Sequence, residues 1–398
     1  MDPHLVGSLI TILLVACIVA IVAERFKTPY TVALVLVGLV ISFLNFSPQV
    51  FISYDVTFVV ILPPLLFYAA MHINIRRLME NWRTILMLAI PGVVCSTFLI
   101  GFILHKVLDM VFLHALLFGA LITPTDPISV ISILKRVGAP ERLKLILEGE
   151  SLFNDGTGVV VFTIILSLVS HGGHFELGHT LVKFLTVAGG GVLVGIVLGF
   201  IACKFMEFVD DHLLEVAITV VLTFGAPLVA EFFHFSGVIA VVVAGLMVGN
   251  LGKVQAMSNK VKETIDNFWE VIDFVINSIL FVVIGLELSV VRQSHPETLV
   301  FPILVGAIAV LISRSIVVYP VVKIKNIIAA NEIPWSWSHV LFWGGLKGSI
   351  SIALVVGLPK ELPFREYFLV LAFGVVLLSL VVQGLAMQTV VVKNVEGK

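Results

Sequence analysis

Five charged side chains stand inside long apolar runs of this sequence: Asp126, Glu150, Asp155, Arg314 and Lys347. At the centre of a bilayer each would cost about 2.5–3.5 kcal/mol, so each needs either a partner or a purpose. The chemistry open to a buried carboxylate is reversible binding of a proton or a cation. The run Glu150-Ser151-Leu152-Phe153-Asn154-Asp155-Gly156 has the pattern for it. On a helix, with Glu150 at the origin, Asn154 falls at about 40°, Ser151 at about 100° and Asp155 at about 140°. Ser151 and Asp155, four residues apart, can converge on one ligand while Glu150 faces another helix.

The bases and the breaks supply partners. Arg314 sits among Val and Ile, where an unpaired guanidinium is prohibitive, and Glu150 is its expected carboxylate. In Thr123-Pro124-Thr125-Asp126-Pro127 two prolines remove backbone N–H donors and should break the helix. Asp126 would then compensate the positive end of a half-helix, and the freed Thr125 carbonyl becomes an oxygen ligand for a cation. Lys347, in Gly344-Gly345-Leu346-Lys347-Gly348, is expected to mirror this role at its own break. The bland readings stand beside these: Glu150 with Arg314 is equally a structural ion pair, and Lys347 a structural rather than a substrate-binding group.

The elements that must position these groups are set by composition. The 398 residues are 59% hydrophobic and 13% charged, with a mean hydropathy of +1.13. Soluble chains carry roughly 25% charged residues, so a soluble globular domain is excluded. A net charge of -2 gives no argument for a nucleic-acid partner. Cys17, Cys95 and Cys203 lie in apolar runs without paired spacing, which indicates neither a disulfide framework nor a zinc site, and no cofactor is expected.

About thirteen apolar stretches of spanning length follow one another: 5–23, 29–44, 54–72, 84–105, 111–134, 142–170, 180–206, 212–233, 235–251, 264–288, 298–322, 337–357 and 364–391. Met1-Asp2-Pro3-His4 lacks a positive n-region, so the first is expected to be a genuine span rather than a cleaved signal peptide. Loops after odd-numbered spans and the C-terminal end hold 17 Lys and Arg against 5 on the other side. The amino terminus is therefore expected outside and the carboxyl terminus in the cytoplasm, in a prokaryotic plasma membrane. The interrupted fifth and twelfth spans occupy matching places if the seventh is a linker, the arrangement of an inverted-repeat transporter with its site at the midplane. The histidines His72, His105, His171, His174, His179, His234 and His339 lie mostly at span ends or in loops, where a pH-sensing role is open.

Taken together, the Thr-Pro-Thr-Asp-Pro run, Gly149 through Gly156, the intramembrane Arg314 and the Gly-Gly-Leu-Lys-Gly run resemble the cation:proton antiporter family, in its NhaP-like and sodium/hydrogen exchanger branch. The resemblance covers essentially the whole chain in order. It implies an all-α antiporter fold of two inverted six-helix repeats with crossed broken helices, in a homodimer whose core moves like an elevator. It implies dimerisation helices over 1–75 and 212–290, core helices over 76–170 and 291–398, and a linker helix over 171–211. It makes Asp155 the cation- and proton-binding carboxylate, Asn154 its neighbour, Ser151 and Thr125 cation ligands, Asp126 the acid of the broken helix, and Glu150–Arg314 the core ion pair. Two positions depart from the pattern. Tyr68 follows Leu62-Pro63-Pro64-Leu65-Leu66-Phe67 where members often carry an acid that can hold the Asn. Lys347 stands where Arg is usual, keeping the charge but losing the planar fork.

The expected activity is exchange of Na⁺, or Li⁺, for H⁺ by alternating access, serving pH and sodium homeostasis and needing no enzyme chemistry. Burial disfavours a charged carboxylate, so a proton and a cation compete for it. With Glu150 neutralised by Arg314, the exchange should be electroneutral. K⁺/H⁺ antiport is the nearest alternative. An intramembrane aspartyl protease using Asp126 and Asp155 is the alternative of another class, and no repeated filter sequence points to a channel.

Overall fold

The computed structural model describes residues 3–26, 30–43, 56–171, 177–209, 211–293, 296–328 and 332–396. His174, Lys27 and Lys398 lie outside the described residues.

The chain is a succession of helices. The first group is α1 (Pro3–Phe26), α2 (Tyr30–Phe43), α3 (Leu62–Met71, entered through a π-helical turn over Val56–Ile61), α4 (Ile75–Ala89) and α5 (Pro91–Leu108). Next come α6 (Phe112–Ile122), α7 (Ile128–Arg136), α8 (Glu141–His171), α9 (Leu177–Glu207), α10 (His212–Phe232) and α11 (Gly237–Met247, which runs on as a π-helix to Ala256). The last are α12 (Asn259–Gln293), α13 (Pro296–Ile328), α14 (Trp335–Trp343), α15 (Ser349–Val356), α16 (Arg365–Leu378) and α17 (Gly384–Val391). Each apolar stretch of the sequence is largely helical among the described residues, with breaks inside the fifth and the twelfth. Among the described residues, six helical stretches are individually long and apolar enough to cross a membrane.

Boundaries shift where polar caps act. The fourth stretch, expected from 84, begins at Ile75 because the Asn74 side chain accepts the Arg77 N–H at 3.2 Å and caps the helix. The short connector between α10 and α11 is possible because His234 adopts a left-handed conformation, φ 60°, which lets the Phe235 N–H return to the Ala230 carbonyl. Ser236 then caps α11 through the Ile239 N–H.

α12 lies along α2, and α3 packs on α11 and α12. Gly38 and Gly285 face each other across the α2–α12 contact, and a Cβ on either would strike the opposing backbone. Small residues of this kind let membrane helices approach closely. The indole of Trp269, fully buried, fastens α12 to α10 by donating to Thr219 Oγ1 at 3.0 Å. On the other side of the molecule α5 packs against α6 and α13, and α4 against α8. α8 joins the two sets by packing on α11 and α3 as well as on α4 and α6, and α15 of the interrupted pair α14/α15 reaches α12.

Candidate functional site

The two helix breaks meet. The backbone N–H of Asp126, in the α6/α7 break, donates to the Leu346 carbonyl in the α14/α15 break at 2.8 Å. Broken helices expose carbonyls at one end and N–H groups at the other, and each exposed end here has a charged or polar side chain. The Asp126 carboxylate accepts the Ile128 N–H of α7 at 3.0 Å and packs directly on Gly348, the residue that caps α15. One carboxylate thus serves two positive helix ends, and only glycine leaves room for it at 348.

The carbonyl ends are served by bases. The Lys347 ammonium donates to the Thr123 carbonyl at 2.8 Å and the Pro124 carbonyl at 3.4 Å, at the C-terminal end of α6. This corrects the sequence expectation, which placed Lys347 at its own break: the long flexible side chain crosses to the other one. The end of α14 is instead met by Arg314, which donates to the Leu341 carbonyl at 2.9 Å, and by Gln383, which donates to the Trp343 carbonyl at 3.3 Å. Ser379 accepts the Lys347 backbone N–H and donates to Gln383. Ser379 and Gln383 were not singled out from the sequence; a Ser and a Gln four residues apart within an apolar helix were the available signal.

Two faces of α8 diverge. Glu150, 1% exposed, binds Arg314 of α13 through two hydrogen bonds of 2.6 and 2.9 Å. Asn154 Nδ2 lies 3.2 Å from Thr125 Oγ1 and 3.4 Å from Glu150 Oε1. These contacts hold the Asn without an acid at position 68, and Tyr68 instead lines a cavity with its ring against His72. On the other face Ser151 and Asp155 line that cavity together with Thr125 and Asp126. Ser151 Oγ donates to the Thr125 carbonyl at 2.5 Å. Asp155 is 6% exposed, and its Oδ1 has no hydrogen-bond partner.

The cavity holds about 700 Å³. Its far wall is α12, through Glu270, Asp273 and Asn277, and Tyr30 of α2 also lines it. The sequence count of five intramembrane charges was too low: Asp273 lies within the expected span 264–288. The overlooked signal was spacing, since Asp266, Glu270, Asp273 and Asn277 recur at intervals of four, three and four, which confines them to about 60° of a helix.

A sodium/hydrogen exchanger transmembrane model matches residues 10–393. The chain belongs to the sodium/hydrogen exchanger family. Among this family's members, it is 40% identical over 372 residues to the Na⁺/H⁺ antiporter ApNhaP of Aphanothece halophytica, covering 92% of this chain and 70% of that one. It is also 40% identical to the Na⁺/H⁺ antiporter NhaP of Pseudomonas aeruginosa, over 85% of this chain and 80% of the relative. The fold matches that of the sodium proton antiporter MjNhaP1 from Methanocaldococcus jannaschii at a TM-score of 0.81, with 23% identity and 99% of each chain covered. Family membership thus accompanies a site in which every exposed helix end is neutralised while one carboxylate oxygen stays unpartnered.

Proposed function

We propose that this chain is a secondary antiporter that exchanges Na⁺ for H⁺ at Asp155. The observation that carries the reading is the contrast in partners: Glu150 and Lys347 are held by fixed partners within the protein, whereas the buried Asp155 Oδ1 has none. A hard monovalent cation binds oxygen ligands, and Asp155, the Ser151 hydroxyl and the Thr125 carbonyl stand together on the cavity wall. The relatives named as Na⁺/H⁺ antiporters support sodium as the cation.

The cycle follows from competition. A proton or Na⁺ neutralises Asp155, the neutral form crosses with the helices that carry it, and the cavity reopens on the other side. α4–α8 and α13–α17 form the moving core, α1–α3 and α10–α12 the fixed bundle that pairs with a second copy, and α9 links them. The amino terminus faces outward and the positive loops face the cytoplasm of a prokaryotic cell. With Glu150 held by Arg314, Asp155 alternates between one proton and one cation, so the exchange is electroneutral.

The test is an inside-out vesicle with an imposed pH gradient and an acidity-sensitive dye. Na⁺ should dissipate the gradient, Asp155→Asn should abolish the response, and K⁺ and Li⁺ read selectivity in the same trace. No response to any cation would overturn the reading. A membrane-potential-dependent current at fixed ion gradients would overturn electroneutrality alone.

A further inference from the structure

The α12 wall of the cavity has chemistry of its own that the exchange site does not use. Of the acidic groups along this face of α12, Asp266 is neutralised: Lys253 pairs with it and His72 Nε2 lies 3.3 Å away. Asp273 and Glu270, which line the cavity, make no ion pair among the described residues. In Asp273 the carboxylate is fixed from one side. Its Oδ1 accepts a hydrogen bond from Asn277 Nδ2 at 3.0 Å. A carboxylate only accepts, so this bond fixes the amide of Asn277 and leaves its Oδ1 as an acceptor. That oxygen has no donor, although Asn277 is only 1% exposed. Buried acceptors are nearly always satisfied, by protein, water or an ion.

The Asp273 carboxylate, the Asn277 amide it fixes, the Tyr30 phenol and the Glu270 carboxylate line one cavity, and together they offer four hard-oxygen ligands. That set suits a monovalent cation, whereas calcium takes six to eight oxygen ligands. Asp273 and Asp126 line the same cavity from different elements, α12 and the α6/α7 break. The mouth lies toward Lys135 and the exposed Glu141.

We propose that Asp273 and Asn277 form a second cation-coordinating station on α12, which takes a monovalent cation from the mouth of the cavity and hands it across to Asp155. The inference rests on the exchange reading above. It gives α12 a direct part in cation entry. The station raises the local cation concentration beside Asp155 without taking part in proton exchange, so its loss shows as weaker apparent affinity rather than a slower maximal rate.

Two measurements on the purified full chain test it. In proteoliposomes, Asp273→Asn and Asn277→Ala should each raise the apparent KM for Na⁺ about tenfold, the equivalent of one lost ligand, with the maximal rate at saturating Na⁺ little changed. Asp273→Glu should restore most of the affinity. A structural role would instead lower the maximal rate and the melting temperature together and leave KM in place. In equilibrium binding of isotopic Na⁺, Asp155→Asn protein should retain weak binding that the added change Asp273→Asn removes. Unchanged KM in Asp273→Asn, or an Asp155→Asn protein that binds no Na⁺, overturns the station. If the unaltered protein exchanges no cation, the exchange reading fails, and the binding measurement still reads the station by itself.

Discussion

The two arcs of α8 place carboxylates of the same chemical type five residues apart and treat them oppositely. On the closed arc, Glu150 is enclosed by the two-pronged contact with Arg314 and touched by Asn154. On the open arc, Asp155 borders a 700 Å³ cavity with one oxygen unpartnered. The difference teaches that an acid inside a membrane protein is not by itself a transport site. A carboxylate whose lone pairs are all used by fixed donors has nothing left to offer a mobile ion. One with a free oxygen beside a cavity does.

The largest expected effects separate the arcs by what fails. Removing one partner of a buried ion pair leaves the other charge stranded and costs about 3–5 kcal/mol. Arg314→Ala should therefore lower the melting temperature in detergent sharply and reduce the amount of folded protein in the membrane. Glu150→Leu combined with Arg314→Met should recover most of that loss, since neither charge is then stranded. Asp155→Asn should do the reverse, leaving melting unchanged or raised while exchange falls to the background of empty vesicles. Thermal melts and vesicle assays on the same preparations read both; an Asp155→Asn protein that melts as early as Arg314→Ala would erase the contrast.

Lys347 extends the closed arc to the helix breaks, and its effect should be intermediate. Lys347→Met leaves the Thr123 and Pro124 carbonyls with only the long 3.5 Å contacts from Asn154 Nδ2 and Ser351 Oγ, at a cost of up to about 1–3 kcal/mol, the range for a buried group left unsatisfied. Lys347→Arg keeps the charge and offers two donors to the same two carbonyls, so it should melt close to the unaltered protein. Equal melting of Lys347→Met and Lys347→Arg would show that the ammonium is not holding the end of α6.

How far the sequence disclosed this division depends on the kind of signal. Charged residues within apolar runs are conspicuous because the bilayer penalises them, and prolines and glycines mark breaks because they cannot continue a helix; hence Asp126, Glu150, Asp155, Arg314 and Lys347 were all legible. The pairing of Glu150 with Arg314 was reachable from the cost of stranding a guanidinium. Which break Lys347 serves was not, because a long side chain reaches past its own backbone and helix crossing is a three-dimensional fact. Asp273 and Asn277 were missed for a different reason. They stand in a helix whose start is richly charged, with Lys260, Lys262 and Glu263, and that local polarity hid a regular stripe running on into the apolar part. Ser379 and Gln383 are uncharged, so nothing about their cost in a membrane singled them out.

The smallest effect supplies a baseline for both arcs, from a carboxylate outside the membrane-spanning segments. Asp211 precedes α10 and accepts the N–H groups of Leu213 and Leu214 at 2.8 and 3.2 Å. Those donors hold its carboxyl below the ordinary value of 3.8. A carboxyl depressed in the folded state adds stability that is fully present above its unfolded value and is lost as pH falls through its folded value. Asp211→Ala should therefore melt slightly earlier than the unaltered protein at neutral pH, and the gap should close only in acid below the ordinary value. Asp211→Asn, which keeps an acceptor at the cap without a titrating charge, should narrow the neutral gap, and its advantage over Asp211→Ala should not change with pH. Melting curves from neutral pH down to strong acid decide it. A gap that persists unchanged in acid would mean that charge contributes nothing at this cap, and that even the hydrated carboxylate is held by geometry alone, as Glu150 is not.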